Sequence, residues 1–387
     1  MSLTRVLLLA ILVVTAATQS VFLVGAAFFT IGPEFGISAA GLGVATAAFF
    51  LAASASSVAV GGWVQRVGWR AAIRVNALVS GTMTLLIAAL ASSGPVLIGM
   101  MMVSAIAYGL ANPAANQAIA DWVPPGRRAT IIGLKHAGIP LSTLLAGLAV
   151  PTVVLTFGWR TAFVVAGIGA LAVAALVPGE GEAPPPPSPD DAPPPRRLEP
   201  RDLAWLSVGS SFATWSAAAL GAFGVSAAID VGMGADAAGW LQTVGSAASI
   251  GMRFAAGWLT DRWRGRGFSG IVLLAGSGVL VFLAMTLAVP PWFGVLMVLA
   301  YATGWGWPGL LTFTVVQANA GTAARSSSFT QAGIFLGAGL SPLVMGVVAE
   351  SAGLSYIWPV AAGALVVAAS AVSVVWRRTA SSPPGHT

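Results

Sequence analysis

Cysteine is absent from the 387 residues, so disulfides, thiolate catalysis and cysteine-based metal sites are excluded. Charge is scarce as well: Asp, Glu, Lys and Arg make up 8% of the chain, against about 25% in an ordinary soluble domain. Lysine occurs once, as Lys135, and histidine twice, as His136 and His386. No nucleophile–base pair and no metal-ligand constellation stands out, so neither catalysis, a metal nor a cofactor is expected. What is abundant is apolar: 57% hydrophobic residues, 47 glycines and a mean hydropathy of +0.87. No water-soluble fold buries that much apolar surface, because surface area does not shrink fast enough with chain size. A soluble enzyme, a nucleic-acid binder and a disordered chain are therefore ruled out. An integral membrane protein facing lipid remains. The net charge of +6 and pI near 11 are not a nucleic-acid signal here, since the position of each arginine matters more than their sum.

A transmembrane helix needs about 20 mostly apolar residues. Twelve such runs are found, at roughly 5–30, 38–62, 71–91, 95–119, 129–152, 160–178, 203–228, 237–259, 269–288, 292–317, 326–348 and 355–376. The first run is longer than a signal-peptide core of about 7–15 residues and is expected as an uncleaved helix. Arg66, Arg70, Arg74, Arg127, Arg128, Arg196, Arg197, Arg201, Arg262, Arg264, Arg266 and Arg325 fall in even-numbered loops, with Arg5, Arg377 and Arg378 in the tails. The odd-numbered loops hold Glu34, Asp230, Asp236 and Glu350, with Arg160 as their lone cation. This asymmetry predicts a multi-pass protein of the cell (inner, cytoplasmic) membrane with both termini cytoplasmic.

Between spans six and seven lies a stretch containing PPPPSPDDAPPP, a stiff and solvated linker. It divides the chain into a six-helix bundle over 1–178, a cytoplasmic linker over 179–202, a second bundle over 203–378 and a tail over 379–387 expected to be disordered. The halves are related. GGWVQRVGWR (Gly61–Arg70) closes span two, and GWLTDRWRGR (Gly257–Arg266) closes span eight, 196 residues later. Lys135-His136-Ala137-Gly138-Ile139 in span five matches Thr330-Gln331-Ala332-Gly333-Ile334 in span eleven, at an offset of 195. Two matches at nearly one offset indicate a duplicated six-helix unit, with a site between the halves near the midplane.

These loops resemble the signature segment of the major facilitator superfamily. The run Trp122-Val123-Pro124-Pro125-Gly126-Arg127-Arg128 into Gly133-Leu134-Lys135-His136-Ala137-Gly138 is similar to that superfamily too, as is Gly158-Trp159-Arg160-Thr161-Ala162-Phe163 before span six. The resemblance covers essentially the whole chain. It implies an all-α integral membrane fold of twelve transmembrane helices in two six-helix repeats. In one departure, Gln65 stands where the family usually has Asp, whereas Asp261 is kept in the second half. Asp261, Arg262, Arg66 and Arg70 are expected as a gating latch on the cytoplasmic side. The competing reading is that the arginines only set topology.

Two cations lie within spans, Lys135 in five and Arg253 in eight, and no Asp or Glu lies at their depth. By helical rise Arg253 is about 12 Å from Asp261 and Lys135 about 10 Å from Arg128. Burying a cation costs at least about 2.5 kcal/mol, so such residues face a cavity and want a counter-charge, which the substrate would supply. Gln242, Ser246, Ser249 and Arg253 share one helix face. Further polar faces are Tyr108, Asn112 and Asn116; Thr15, Thr18 and Gln19; Ser207, Ser211 and Thr214; and Lys135 with Ser142. Of these, Arg253, Lys135, Gln19, Asn112, Asn116, Gln242, Ser246, Ser249 and Tyr108 are expected to bind substrate, together with Gln331. Trp305 or Trp307 is expected in the wall. The alternatives are that Lys135 snorkels to the interface and that Arg253 bonds main-chain carbonyls.

The Arg253–Gly257–Asp261 spacing resembles helix eight of monocarboxylate transporters and oxalate/formate exchangers, where the resemblance implies an arginine engaging the substrate carboxylate. The acidic residue one turn before it in the proton symporters is Ser249 here, and the helix-one lysine is replaced by Gln19. His136 is then the one candidate proton-linked group within a span, although a packing role fits it better. The reading is a secondary transporter of a small organic anion, working by alternating access. Its partners would be an anionic substrate, the lipid bilayer and, as coupling species, a proton or a counter-anion. No nucleic acid is expected, and the chain is expected as a monomer. Alternatives are a cyanate/nitroimidazole-like permease, multidrug efflux, or a receptor without flux.

Overall fold

A bilayer offers the backbone no water, so every apolar run has to satisfy its own amides, and helix is the form that does so locally. The computed structural model of the chain describes residues 3–124, 131, 134–179, 198–262, 267–290, 292–319 and 323–381. Its helices in the first half are α1 (Leu3–Ala26), α2 (Phe28–Phe35), α3 (Ala39–Leu90), α4 (Gly94–Trp122), α5 (Gly138–Ala149) and α6 (Trp159–Leu176). A π-helical turn and a single α-turn extend α5 to Phe157. The second half holds α7 (Pro200–Asp230), α8 (Ala235–Arg262), α9 (Gly267–Met285), α10 (Trp292–Trp305), α11 (Pro308–Ala318), α12 (Ala323–Ser351) and α13 (Ile357–Ser381). Eleven described stretches are long and apolar enough to cross a membrane. The remaining one, α8, is 28 residues long and carries Gln242 and Arg253. The architecture is the twelve-span, all-helical one expected.

Local chemistry sets the boundaries. After the proline-rich stretch, Pro200 opens α7 behind a reciprocal capping box between Glu199 and Asp202, a few residues ahead of the expected start. Spans two and three form one helical run, α3, turned at Gly68, where φ is 81°. Gly158 has φ 83° at the start of span six. Side chains rarely tolerate this conformation, so glycine is required at both turns. Each glycine begins the same Gly-Trp-Arg corner. The Arg70 guanidinium lies 4.7 Å from the Trp69 ring centroid, and that of Arg160 4.4 Å from the Trp159 centroid. The two corners sit at opposite ends of the bundle. Span ten, expected as one helix over 292–317, is divided into α10 and α11 by Pro308. Span five, expected from 129, is interrupted at His136–Ala137, and α5 starts only at Gly138.

The apolar interior runs through both halves. Phe22, Phe49, Phe50 and Tyr108 belong to one packed cluster with Phe282, Phe293, Tyr301, Trp305 and Trp358. The exterior is apolar as well: Leu273 and Leu280, one heptad apart on α9, are 73% and 70% exposed, as a lipid-facing surface requires.

At the end opposite the chain termini the halves close along two glycine seams. A Cβ on Gly147 of α5 would lie 2.8 Å from the Gly239 carbonyl of α8, and one on Gly346 of α12 would lie 3.1 Å from the Gly43 Cα of α3. Side-chain bonds reinforce both seams. The Ser38 hydroxyl (2.7 Å) and the Ala40 amide (3.0 Å) donate to Glu350, and Gln242 donates to the Thr143 carbonyl (3.1 Å). At the same end, within the first half, Glu34 pairs with Arg160 at 2.7 Å and accepts from the Trp159 indole at 2.7 Å. These hydrogen bonds from Arg160 and Trp159 hold the Glu34 carboxyl below the usual glutamate range.

Two outcomes follow. Gly43→Val places a branched side chain against the Pro342 carbonyl, so disulfide cross-linking of cysteines introduced at Ser38 and Ser351 should fall severalfold. The Glu34 tie is complete above the ordinary glutamate value of about 4.3 and is lost as pH falls through the lowered value. Because the pair is partly exposed, Glu34→Gln should remove an acid-side stability loss of about 1 kcal/mol at most, read from unfolding midpoints against pH.

Candidate functional site

Between the halves lies a cavity of about 870 Å³ including its mouth, of which about 60 Å³ admits the centre of a water molecule. The freely accessible part is narrow, so the space suits a small ligand. One part of the wall is apolar and aromatic. Phe22 of α1 approaches Trp305 of α10 at 6.2 Å between ring centroids and Phe50 of α3 at 6.4 Å. Phe335 and Ile334 of α12 continue this surface. The rest is polar, with Tyr108 and Asn112 of α4, Lys135, His136, Arg253 of α8, Trp307, Thr214 of α7 and Gln331.

Lys135 is buried, at 3% exposed. Its ammonium donates to the side-chain carbonyl oxygens of Asn112 (3.1 Å) and Asn116 (2.7 Å), two residues one helical turn apart on α4. An ammonium has three donors, so one is left over. Lys135 therefore points into the bundle and does not snorkel. Arg253 is held by main chain. One terminal nitrogen donates to the His136 carbonyl in the other half, and the second donates to the Trp305 carbonyl at 2.8 Å. Its Nε is buried with no hydrogen-bond partner among the described residues.

Neutral carbonyls satisfy donors but cancel no charge. Among the described residues neither Lys135 nor Arg253 makes an ion pair. Two positive charges thus face one small, mostly apolar space, where an anion is favoured and a second cation is not.

The expected site residues divide into groups. Arg253, Lys135, Asn112, Tyr108, Gln331 and His136 line the cavity, and Asn116 supports Lys135 from just behind it. The His136 ring stands 3.4 Å from the Thr312 hydroxyl. Both Trp305 and Trp307 are in the wall. The other polar stripes serve as stitching between helices. Gln242 and Ser246 face α5, with Ser246 2.8 Å from Thr143, and Ser249 donates to the Trp305 carbonyl at 3.2 Å. Gln19 accepts from Ser142 at 3.0 Å between α1 and α5, and with Thr15 it borders a separate lateral pocket. On the proposed latch, Arg66 is exposed and Arg70 rests on Trp69, while the side chains of Asp261 and Arg262 lie outside the described residues.

Sequence reasoning offered main-chain carbonyls for Arg253 only as an alternative and named neither His136 nor Trp305 as the acceptor, and of the aromatic wall it missed Phe22, Phe50 and Phe335. Carbonyls carry no residue identity, yet Pro140 and Pro308 were the available signal, since each marks where a helix cannot take up its own carbonyls.

The family model for the Major Facilitator Superfamily matches residues 8–230. A probable chloroplastic anion transporter 4 of Oryza sativa is 28% identical over 138 residues, which is 35% of this chain and 23% of that protein. The probable sulfoacetate transporter SauU of Cupriavidus necator is 30% identical over 135 residues, 35% of this chain and 31% of that protein. The chain thus spans between about a quarter and a third of the length of these curated relatives. Among solved structures, a bacterial homolog of the human lysosomal transporter Spinster superposes with a TM-score of 0.78 at 19% identity over 100% of both chains. The D-xylose-proton symporter gives 0.72 at 14% identity, covering 97% of this chain and 98% of that one. At these identities the likeness is one of fold.

Removing one carbonyl from the Lys135 ammonium should be costly. Asn116→Ala is expected to lower stability by about 1–3 kcal/mol, and adding Lys135→Met should restore most of it. A double-mutant cycle of thermal unfolding in detergent measures both, and additive losses would disprove the pairing.

Proposed function

The chain belongs to the Major Facilitator Superfamily, and on that premise we propose that it moves a small organic anion, a carboxylate, across the cell membrane. The two six-helix halves alternate in exposing the central cavity, and both termini lie in the cytoplasm. The observation that carries this reading is the pair of buried cations, Lys135 and Arg253, held only by neutral oxygens. Such a pair leaves a net positive site whose natural complement is a ligand carboxylate. A guanidinium suits it because its planar fork matches both carboxylate oxygens. In this state both terminal nitrogens of Arg253 are engaged and its Nε is buried, so the spare ammonium proton is the donor on offer until a ligand displaces a carbonyl.

The anion-transporter names of the matched relatives agree with this sign of charge. The modest space within the aromatic wall favours a small anion over a bulky drug. In the seam-closed arrangement the cavity lies on the terminal side of both seams, so this state exchanges ligand with the cytoplasm. Glu350, seated on the N-terminus of α3, is part of what has to release before the opposite face opens.

A thermal-shift screen of the purified protein against small carboxylates and sulfonates should yield at least one stabilising anion. Arg253→Ala and Lys135→Ala should each weaken that stabilisation and lower counterflow in proteoliposomes by tenfold or more, with the helical content unchanged. Full uptake by Arg253→Ala would remove the anchor role.

A further inference from the structure

Arg253 does not wait free for a ligand. Both of its main-chain acceptors exist because a helix is interrupted. In an unbroken span five the amide of residue 140 would donate to the His136 carbonyl. Residue 140 is proline, which has no amide hydrogen and whose ring crowds the carbonyl four residues back. The surrounding bonds reflect this: the Ala137 amide turns back to the Leu134 carbonyl (2.9 Å), and helical bonding resumes only when the Leu141 amide reaches Ala137 (2.9 Å). The His136 carbonyl is left to the guanidinium from the other half. The Trp305 carbonyl is available for a different reason, because Trp305 is the last residue of α10 and the chain breaks before α11, and it belongs to the same half as Arg253.

The two bonds therefore differ in kind. The bond to Trp305 fixes Arg253 within its own half. The bond to His136 crosses between halves, on the terminal side of the glycine seams. We propose that Pro140 is a positioning residue of the transport cycle: by freeing the His136 carbonyl it lets Arg253 clamp the two halves together in the ligand-free state, and an anion arriving at Arg253 competes that clamp away. The proposal rests on the anion-transport reading for its second step, not for its first. A carboxylate is a better acceptor for a guanidinium than a neutral carbonyl. Ligand binding would thus exchange a bond between halves for a bond to the cargo, which links occupancy to the freedom of the halves to move.

The charged and titratable groups facing this clamp are Lys135 and His136, both from the first half, and the His136 ring contacts Thr312 rather than Arg253.

Pro140→Ala restores an amide at residue 140, which reclaims the His136 carbonyl. Arg253→Gln removes the clamp from the other side. Each variant is purified at full length, and spin labels are placed at the terminal-side ends of the two halves, on α4 near Trp122 and on α11 near Ala318. Without any added anion, both variants should shift the distance distribution toward separation at that end. The ratio of the two populations should change on the order of tenfold, the worth of one hydrogen bond to a charged donor. The double variant should match the single ones, because both act through one bond. Pro308→Ala, a proline replacement in the second half whose restored amide faces the Gly304 carbonyl and not the His136 carbonyl, should leave the distribution unchanged.

A wild-type distribution in Pro140→Ala, or additive shifts in the double variant, would overturn the clamp and assign Pro140 to helix shape alone. Sulfoacetate, oxalate and acetate then test the second step. The anion that stabilises the wild type should bind Pro140→Ala more tightly, on the order of tenfold, because its competitor is gone. A distance shift with no stabilisation by any of these anions in either form would uphold the clamp while defeating the anion reading. Equal affinity in the two forms would defeat the competition step.

Discussion

A guanidinium and an ammonium buried among helices must find acceptors for their protons, and the interior of this protein is arranged around that requirement. The side chains nearby offer two asparagine oxygens, both taken by Lys135. Arg253 is left to the backbone, and an α-helix spends its carbonyls on itself. Only where a helix is broken does a main-chain oxygen become available. The interruptions at His136–Ala137 and at Gly306–Trp307 therefore belong to the charge arrangement of the site and are not irregularities of the fold. Hydrogen-bond capacity is largely met and charge is not, and this difference is what a ligand would remove.

Much of the architecture was legible from the chain alone because a bilayer narrows the options. Apolar length, arginine placement and the offset between Gly61–Arg70 and Gly257–Arg266 lead to twelve spans in two related halves, since runs of this length satisfy their backbone in lipid as helices. The details that escaped are local. Spans two and three join through Gly68 without a loop, because one glycine at positive φ turns the chain without ending the helical run. Span ten, expected as one helix over 292–317, divides at Pro308.

The candidate site was legible in part, and the division has a physical cause. Charge has no disguise in an apolar run, so Lys135 and Arg253 stand out in the sequence, and both line the cavity. Hydroxyls and amides are ambiguous. A stripe such as Gln242, Ser246 and Ser249 has the same spacing whether it faces water or a neighbouring helix, and here it faces α5 and α10. The same holds for Gln19 and Ser142, which stitch α1 to α5. Sequence periodicity says which residues share a face and is silent on what that face meets.

The break in span five also sets the two halves apart. At the 195-residue spacing of the copies, Pro140 corresponds to Phe335 and His136 to Gln331. There α12 runs from Ala323 to Ser351 without interruption, and its own proline, Pro342, is carried inside the helix. One copy of the ancestral unit is jointed at mid-depth and the other is a continuous rod. At this span the two copies therefore differ in stiffness, because a helix that lacks one of its backbone bonds bends more readily than an unbroken one.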